Sequence, residues 1–178
     1  MAGRFFPVQI MSLGQTGSIA SLNVASLGND GSSPFLGQLG MVIEDSGKVY
    51  RLVQHVKVTA SVTTAAGFAC HWYDRDNFKV VSDQTDAQAG VNGVAGAYLG
   101  VVTDNYYCFI QMGGKQTLKT AASVVAGDKL IGSTTDGQLA RVAAGTATTD
   151  ECVAIAYGSV SSGFSAAYWK FGAGGCGF

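Results

Sequence analysis

Turn-forming residues divide the chain at short intervals from residue 41 onward, and this spacing constrains the fold more than any other feature. Pairs such as Ser46-Gly47, Asp104-Asn105 and Asp136-Gly137 belong to turns that recur roughly every 8–12 residues, the interval of a β-sandwich or barrel. No segment between the turns carries the apolar period of a helix, which is about 3.6 residues. We therefore predict an all-β fold, a small β-barrel or sandwich of antiparallel strands over residues 41–178.

The strand pattern is clearest in a hairpin at the start of this domain. Met41–Asp45 and Lys48–Gln54 are rich in β-branched and aromatic residues, and they flank the turn pair Ser46-Gly47. Both faces of Lys48–Gln54 mix polar and apolar residues, which predicts partial cover on both sides. Further strands are predicted at Val56–Ala66, Phe68–Tyr73, Phe78–Val81, Val94–Val102, Tyr106–Gln111, Lys129–Gly132, Gln138–Val142, Cys152–Gly158 and Phe164–Phe171, with turns at Asp74–Asn77 and Met112–Lys115.

Residues 1–40 differ in composition from the rest of the chain. They contain only two charged residues, Arg4 and Asp30, and apolar residues are dotted among Gly, Ser, Asn and Gln without a helical period. We predict an extended arm that becomes ordered by lying on a neighbouring molecule; a loose terminus is the alternative. The residues expected to anchor such an arm are Phe5, Phe6, Ile10 and Met11.

The surface is expected to be poor in charge. Charged residues make up 13% of the chain, about half the usual share of a globular domain, and the net charge is −1. A free monomer usually keeps more surface charge for solubility, so partners are expected to cover part of this surface. The basic residues form no cluster, which argues against nucleic acid as a partner. The longest apolar run, Gly93–Thr103, is too short and too glycine-rich for a bilayer, and no signal-peptide pattern follows Met1, so synthesis in a cytoplasm is expected.

Catalytic, metal and cofactor patterns are weak. The two histidines, His55 and His71, lie in strand-like runs, and no nucleophile elbow occurs. The spacing of the four cysteines fits no zinc signature, and Cys70, Cys108 and Cys152 lie in apolar runs, which predicts buried free thiols. We therefore expect a non-enzymatic protein with no catalytic residues, no metal site and no cofactor.

Four aromatic residues late in the chain have two interpretations. Tyr106, Tyr107, Trp169 and Phe171 all fall in predicted strands. Packing in the core is the first interpretation for each. The alternative is a role as anchors in a partner interface, where large aromatic side chains contribute much of the binding energy.

The C-terminal third contains a series of short, glycine-led motifs. They lie at Val125–Gly132, Asp136-Gly137, Cys152–Gly158 and Gly163–Phe171, and the apolar segment Tyr107–Gly114 precedes them. This series resembles the capsid decoration (cement, or head-stabilising) proteins of tailed bacteriophages. That family shows a preceding strand, an Ala-Gly-Asp turn, a strand, an Asp-Gly turn with a basic strand, a Val-Ala-Ile-Ala-like strand and a closing strand.

The resemblance extends over roughly residues 41–171 and implies a structural role. Members of the family form a small β-barrel or sandwich, trimerise on the outer surface of the virion and bridge major capsid protein subunits. The resemblance thus implies a homotrimer, with the major capsid protein as its partner and no nucleic acid or membrane. Two alternatives remain: a tail-fibre or adhesin-like module that binds a host glycan through Asn105–Tyr107, and a hydrolase that uses the two histidines.

Overall fold

The computed structural model describes residues 39–58, 63–87, 93–147 and 151–170, and within these ranges the protein is all-β. The predicted fold class is confirmed. The strand predicted at Val56–Ala66 is not found among its described residues, and the strand predicted at Val94–Val102 ends at Tyr98. The strands are β1 (Val42–Asp45), β2 (Lys48–His55), β3 (Ala69–Asp74), β4 (Lys79–Val81), β5 (Val94–Tyr98), β6 (Tyr107–Lys119), β7 (Lys129–Gly132), β8 (Leu139–Val142), β9 (Ala154–Ala156) and β10 (Phe164–Trp169).

Five of these strands close into a barrel. The order β2-β4-β3-β5-β6 returns to its start because β6 also pairs with β2, from Tyr107 to Gly113. The pairs are antiparallel except β2 with β4, which run parallel where Gln54 faces Lys79. Closure leaves these strands without an open edge over the barrel. β1 forms the predicted hairpin with β2, and Ser46 and Gly47 both have positive φ in its turn.

The 13-residue strand β6 joins the barrel to a second sheet. Beyond Gly113 its partner changes to β10, and the order continues β10-β9-β7-β8. The predicted turn at Met112–Lys115 is therefore wrong. Gly114, at φ +80°, bends the strand there without reversing it, and an added Cβ would meet the backbone of Gly47. Only glycine adopts this conformation at low cost, so the bend depends on it.

Three groups of buried side chains hold this arrangement together. One fills the barrel, and it includes Val53, Tyr98 and Ile110. A second lies beneath the second sheet and includes residues from both halves of the chain, such as Ala69 on β3 and Leu118 on β6. The third covers the outer side of β2 and β6. β2 is thus buried on both faces, as its mixed pattern predicted.

The third group includes the first described residues of the chain. Ile43, Tyr50, Leu52 and Phe109 are its buried members, and Leu39 packs against them. The backbone N–H of Gly40 donates a hydrogen bond to the Leu52 carbonyl at 2.8 Å. The last two residues of the predicted arm segment 1–40 therefore belong to the barrel, and residues 1–38 lie outside the described part of the chain.

The Ala-Gly-Asp turn before β7 is organised by Asp128. Its side chain is 1% exposed and accepts hydrogen bonds from the backbone N–H groups of Val125, at 2.8 Å, and Ala144, at 3.2 Å. Arg141 Nε contacts the same carboxylate at 2.7 Å. These interactions, first among them the Val125 N–H, lower the pKa of Asp128. The aspartate thus ties the start of β7 to the end of β8.

Candidate interaction surface

Tyr106 and Tyr107, the tyrosines predicted as partner anchors, pack against the barrel. Tyr106 packs against the group inside the barrel, and Tyr107 packs against the group on the outer side of β2. Both side chains stay partly accessible, and Asn105 precedes them in a tight turn at φ +65°. Each ring therefore packs against the core on one side. A role for these tyrosines in binding a partner stays a prediction.

Trp169 lies in the core beneath the second sheet. It is 7% exposed, and its indole N–H donates to Gln116 Oε1 at 2.7 Å. In a single copy of the chain, this side chain therefore offers little surface to a partner. The remaining proposed anchors, Phe5, Phe6, Ile10, Met11 and Phe171, lie outside the described residues.

Both histidines are closed off from solvent. His55 is 1% exposed, and its Nδ1 lies 2.9 Å from the Tyr98 hydroxyl inside the barrel. His71 is fully buried, and neither ring nitrogen has a hydrogen-bond partner in the described part of the protein. Burial lowers the pKa of each imidazole to about 4. An imidazole placed in this way does not meet an external substrate, since a general base must reach the proton it removes.

The cysteines predicted to be buried are buried. Cys70 and Cys108 lie inside the barrel as free thiols, and burial raises the pKa of both. Cys152 is also buried, and its Sγ donates to the Ala154 carbonyl at 3.4 Å. Across the described ranges, no group of three or more His, Cys, Asp or Glu residues is arranged to hold a metal ion.

The most distinctive accessible surface is the outer side of the second sheet, which we call the lysine–tyrosine face. Its central row crosses four strands through directly paired residues: Lys115 on β6 faces Tyr168 on β10, Tyr168 faces Ile155 on β9, and Ile155 faces Lys129 on β7. Directly paired residues of antiparallel strands project from the same side of a sheet. Tyr157, after β9, completes the face.

Contacts between these side chains hold the face in a defined shape. The ring centroids of Tyr157 and Tyr168 are 4.8 Å apart, and Lys115 Nζ lies 4.4 Å from the Tyr157 centroid. Cation–π and aromatic contacts of this kind restrain side chains that would otherwise move freely in solvent. Even so, Tyr168 is 51% exposed, Ile155 37% and Tyr157 36%. The face therefore presents an ordered apolar centre to solvent.

The charge of the face has one sign. Lys115 and Lys129 lie at opposite ends of the central row, and Lys119 follows further along β6, with its Nζ 3.9 Å from the ring centroid of Phe68. None of β6, β7, β9 and β10 contains an acidic residue. The face is thus cationic, although the chain as a whole has a net charge of −1.

Sequence reasoning did not find this face. In the run Tyr168-Trp169, only the tryptophan is among the residues singled out from the sequence, with packing in the core as the first interpretation and an anchor in an interface as the alternative. Alternation along β10 places the two rings on opposite sides of the sheet, and the sheet covers Trp169 while leaving Tyr168 accessible. The alternation was visible in the sequence, but which side is covered depends on the path of β6 and β9.

Comparison with known proteins leaves the chain without an assigned family. No protein-family model matches it, and no curated protein matches it. Among the described residues, no helix has the length and apolar character needed to cross a bilayer.

Proposed function

We propose that this protein is a structural, non-enzymatic decoration protein of a phage head. In this role it binds the outer surface of the capsid, bridges major capsid protein subunits and stabilises the shell. Its partners are the major capsid protein and further copies of itself in a trimer, and it requires no cofactor. The protein is made in the host cytoplasm and located on the outside of the virion.

The observation that carries the proposal is the C-terminal block. Its residues resemble those of decoration proteins, and the order of elements on which the resemblance rests is the order found here. The Ala-Gly-Asp turn leads into β7, Asp136-Gly137 precedes β8, and β9 and β10 follow as the last two strands of the described residues. A low charge content and an exposed apolar face are further support, since both suit a protein that is normally covered by partners.

The burial of both histidines supports the non-enzymatic part of the proposal. An enzyme with His55 or His71 as its base would need to bring a substrate through the wall of the barrel or beneath the second sheet. The low pKa values that burial gives both imidazoles also keep them uncharged near neutral pH, which suits a packing role.

The glycan-binding alternative, a tail-fibre or adhesin-like module, has less support. Its proposed site, Asn105–Tyr107, has both tyrosine rings packed against core groups. Tyr168, the more accessible ring, already contacts the ring of Tyr157, and Lys115 Nζ lies over the Tyr157 ring. Binding to a glycan array would favour this alternative.

The experiment that tests the proposal compares virus heads with and without this protein. We expect heads that lack it to assemble, but to rupture at a lower temperature than complete heads. Adding back the purified full-length chain should restore the rupture temperature. Heads that are equally stable with and without the protein would contradict a stabilising role.

A further inference from the structure

We propose that the lysine–tyrosine face is the surface that docks on the shell, and that its counterpart is an acidic area of the major capsid protein. This inference rests on the proposed function and assigns the contact to one side of the molecule. The residues concerned are Lys115, Lys129, Ile155, Tyr157 and Tyr168.

The apolar centre of the face is suited to a protein partner. Tyr168 and Tyr157 are already in contact with each other, so little side-chain freedom is lost when a partner covers them. Tyrosine is among the residues that contribute most to interface energy, particularly near the centre of a contact and within a ring of polar residues. Lys115 and Lys129 supply such a rim on two sides.

Charge complementarity indicates that the partner is acidic. Three lysines lie on or beside the face, and the four strands that build it contain no carboxylate. The matching surface therefore has to supply Asp or Glu side chains around an apolar centre, because like charges placed opposite each other cost binding energy.

A second copy of the chain is a poorer match than a separate protein. The exposed acids of the described residues lie on four separate segments: Glu44 and Asp45 on β1, Asp76 in the β3–β4 turn, Asp104 before β6, and Glu151 before β9. Two of them already face a lysine: Asp45 lies directly across the hairpin from Lys48, and Asp104 is 3.4 Å from Lys57 Nζ. The face requires one acidic area without such compensation, which these scattered positions suit poorly.

Two substitutions test the face, and each has a matched control elsewhere on the chain. Lys115→Glu reverses an exposed charge on the face, and Arg75→Glu reverses an exposed charge in the β3–β4 turn. Tyr168→Ala removes the central ring, and Tyr73→Ala removes a tyrosine that is 37% exposed on β3. The probe is the shell of the same virus, assembled without this protein, and the readout is the dissociation constant of each full-length variant.

We expect Tyr168→Ala and Lys115→Glu each to weaken binding to shells by about tenfold or more, and both controls to bind within about twofold of the native chain. Binding of the native chain should weaken as salt is raised, and Lys115→Glu should reduce that dependence. Thermal unfolding of all four variants separates a lost contact from a lost fold. A low affinity that accompanies an unchanged Tm supports the proposal.

The outcomes distinguish a failure of the proposed docking face from a failure of the proposed decoration role. If the native chain binds shells and both face variants bind equally well, the face is not the docking surface, while the decoration role stands. If the native chain does not bind shells at all, the proposed function fails and this inference fails with it. If the face variants change only the oligomeric state in sedimentation, the face joins copies of the chain and the acidic shell partner is wrong.

Discussion

The free energy of unfolding of this protein should begin to fall as the pH drops below about 6.5, because of its two buried histidines. His55 and His71 are buried uncharged, with pKa values of about 4 in the folded protein, against an ordinary value of 6.5. Burial is the main cause for both. Asp104 opposes it for His55, Lys57 adds to it, and Asp83 opposes it for His71. Protons therefore bind the unfolded chain more tightly than the folded one, and stability falls as pH decreases below 6.5.

The magnitude follows from the two pKa values. At pH 5 the difference between about 4 and 6.5 corresponds to roughly 2 kcal/mol lost per histidine, and the loss approaches about 3 kcal/mol each near pH 3.5. Both histidines together remove about 4 kcal/mol at pH 5, which is a large part of the roughly 5–15 kcal/mol that stabilises a typical domain. The aspartates with lowered pKa values contribute only at lower pH, so the interval from pH 7.5 to pH 5 isolates the histidines.

Urea unfolding at pH 7.5 and pH 5 measures this loss, with tryptophan fluorescence as the probe because Trp72 and Trp169 are both buried. The diagnostic variant is His71→Leu. Neither nitrogen of His71 has a partner among the described residues, so an apolar side chain of similar size should be tolerated. We expect this variant to lose about half of the pH dependence. Equal free energies of unfolding at pH 7.5 and pH 5 in the native protein would refute the reasoning.

Three further predictions concern the frame of the fold. Gly114→Ala should lower the free energy of unfolding by about 2 kcal/mol or more in urea titrations, since φ is +80° and the added methyl group meets backbone; an unchanged midpoint would mean that β6 does not bend there. Asp128→Asn should lower Tm clearly more than the control Asp76→Asn in the exposed β3–β4 turn, because only Asp128 holds two backbone N–H groups and an arginine; equal effects would contradict its organising role. Cys70 and Cys108 should resist a thiol reagent until urea unfolds the chain, with the labelled cysteines identified by mass spectrometry. Rapid labelling of either in the folded state would show that the barrel interior is open.

The local structure was readable from the sequence because it depends on neighbouring residues. Ser46-Gly47 and Asp136-Gly137 form the predicted turns, since these residues tolerate the positive φ that tight turns require. The hairpin of β1 and β2 was predicted with its bounds correct to within a residue or two. The buried positions of Cys70 and Cys108 followed from the apolar runs around them.

The closure of the barrel and the exposed face were not readable, because both depend on residues far apart in the chain. Two adjacent glycines at Gly113-Gly114 are typical of a turn, but the pairing of β6 with β2 and then with β10 turns them into a bend within one strand. The parallel pairing of β2 with β4 has no signal in either segment. Likewise, the accessible side of β10 is determined by what β6 and β9 leave uncovered.

The most direct test of the decoration role is the copy number of this protein in purified virus particles, counted against the major capsid protein. Quantitative mass spectrometry of particles from the virus that encodes the chain provides this ratio. We predict a number of copies close to that of the major capsid protein, because a protein that bridges shell subunits is repeated over the whole head. A ratio far below this would move the protein to the tail or a fibre, and its absence from particles would contradict the proposed function altogether.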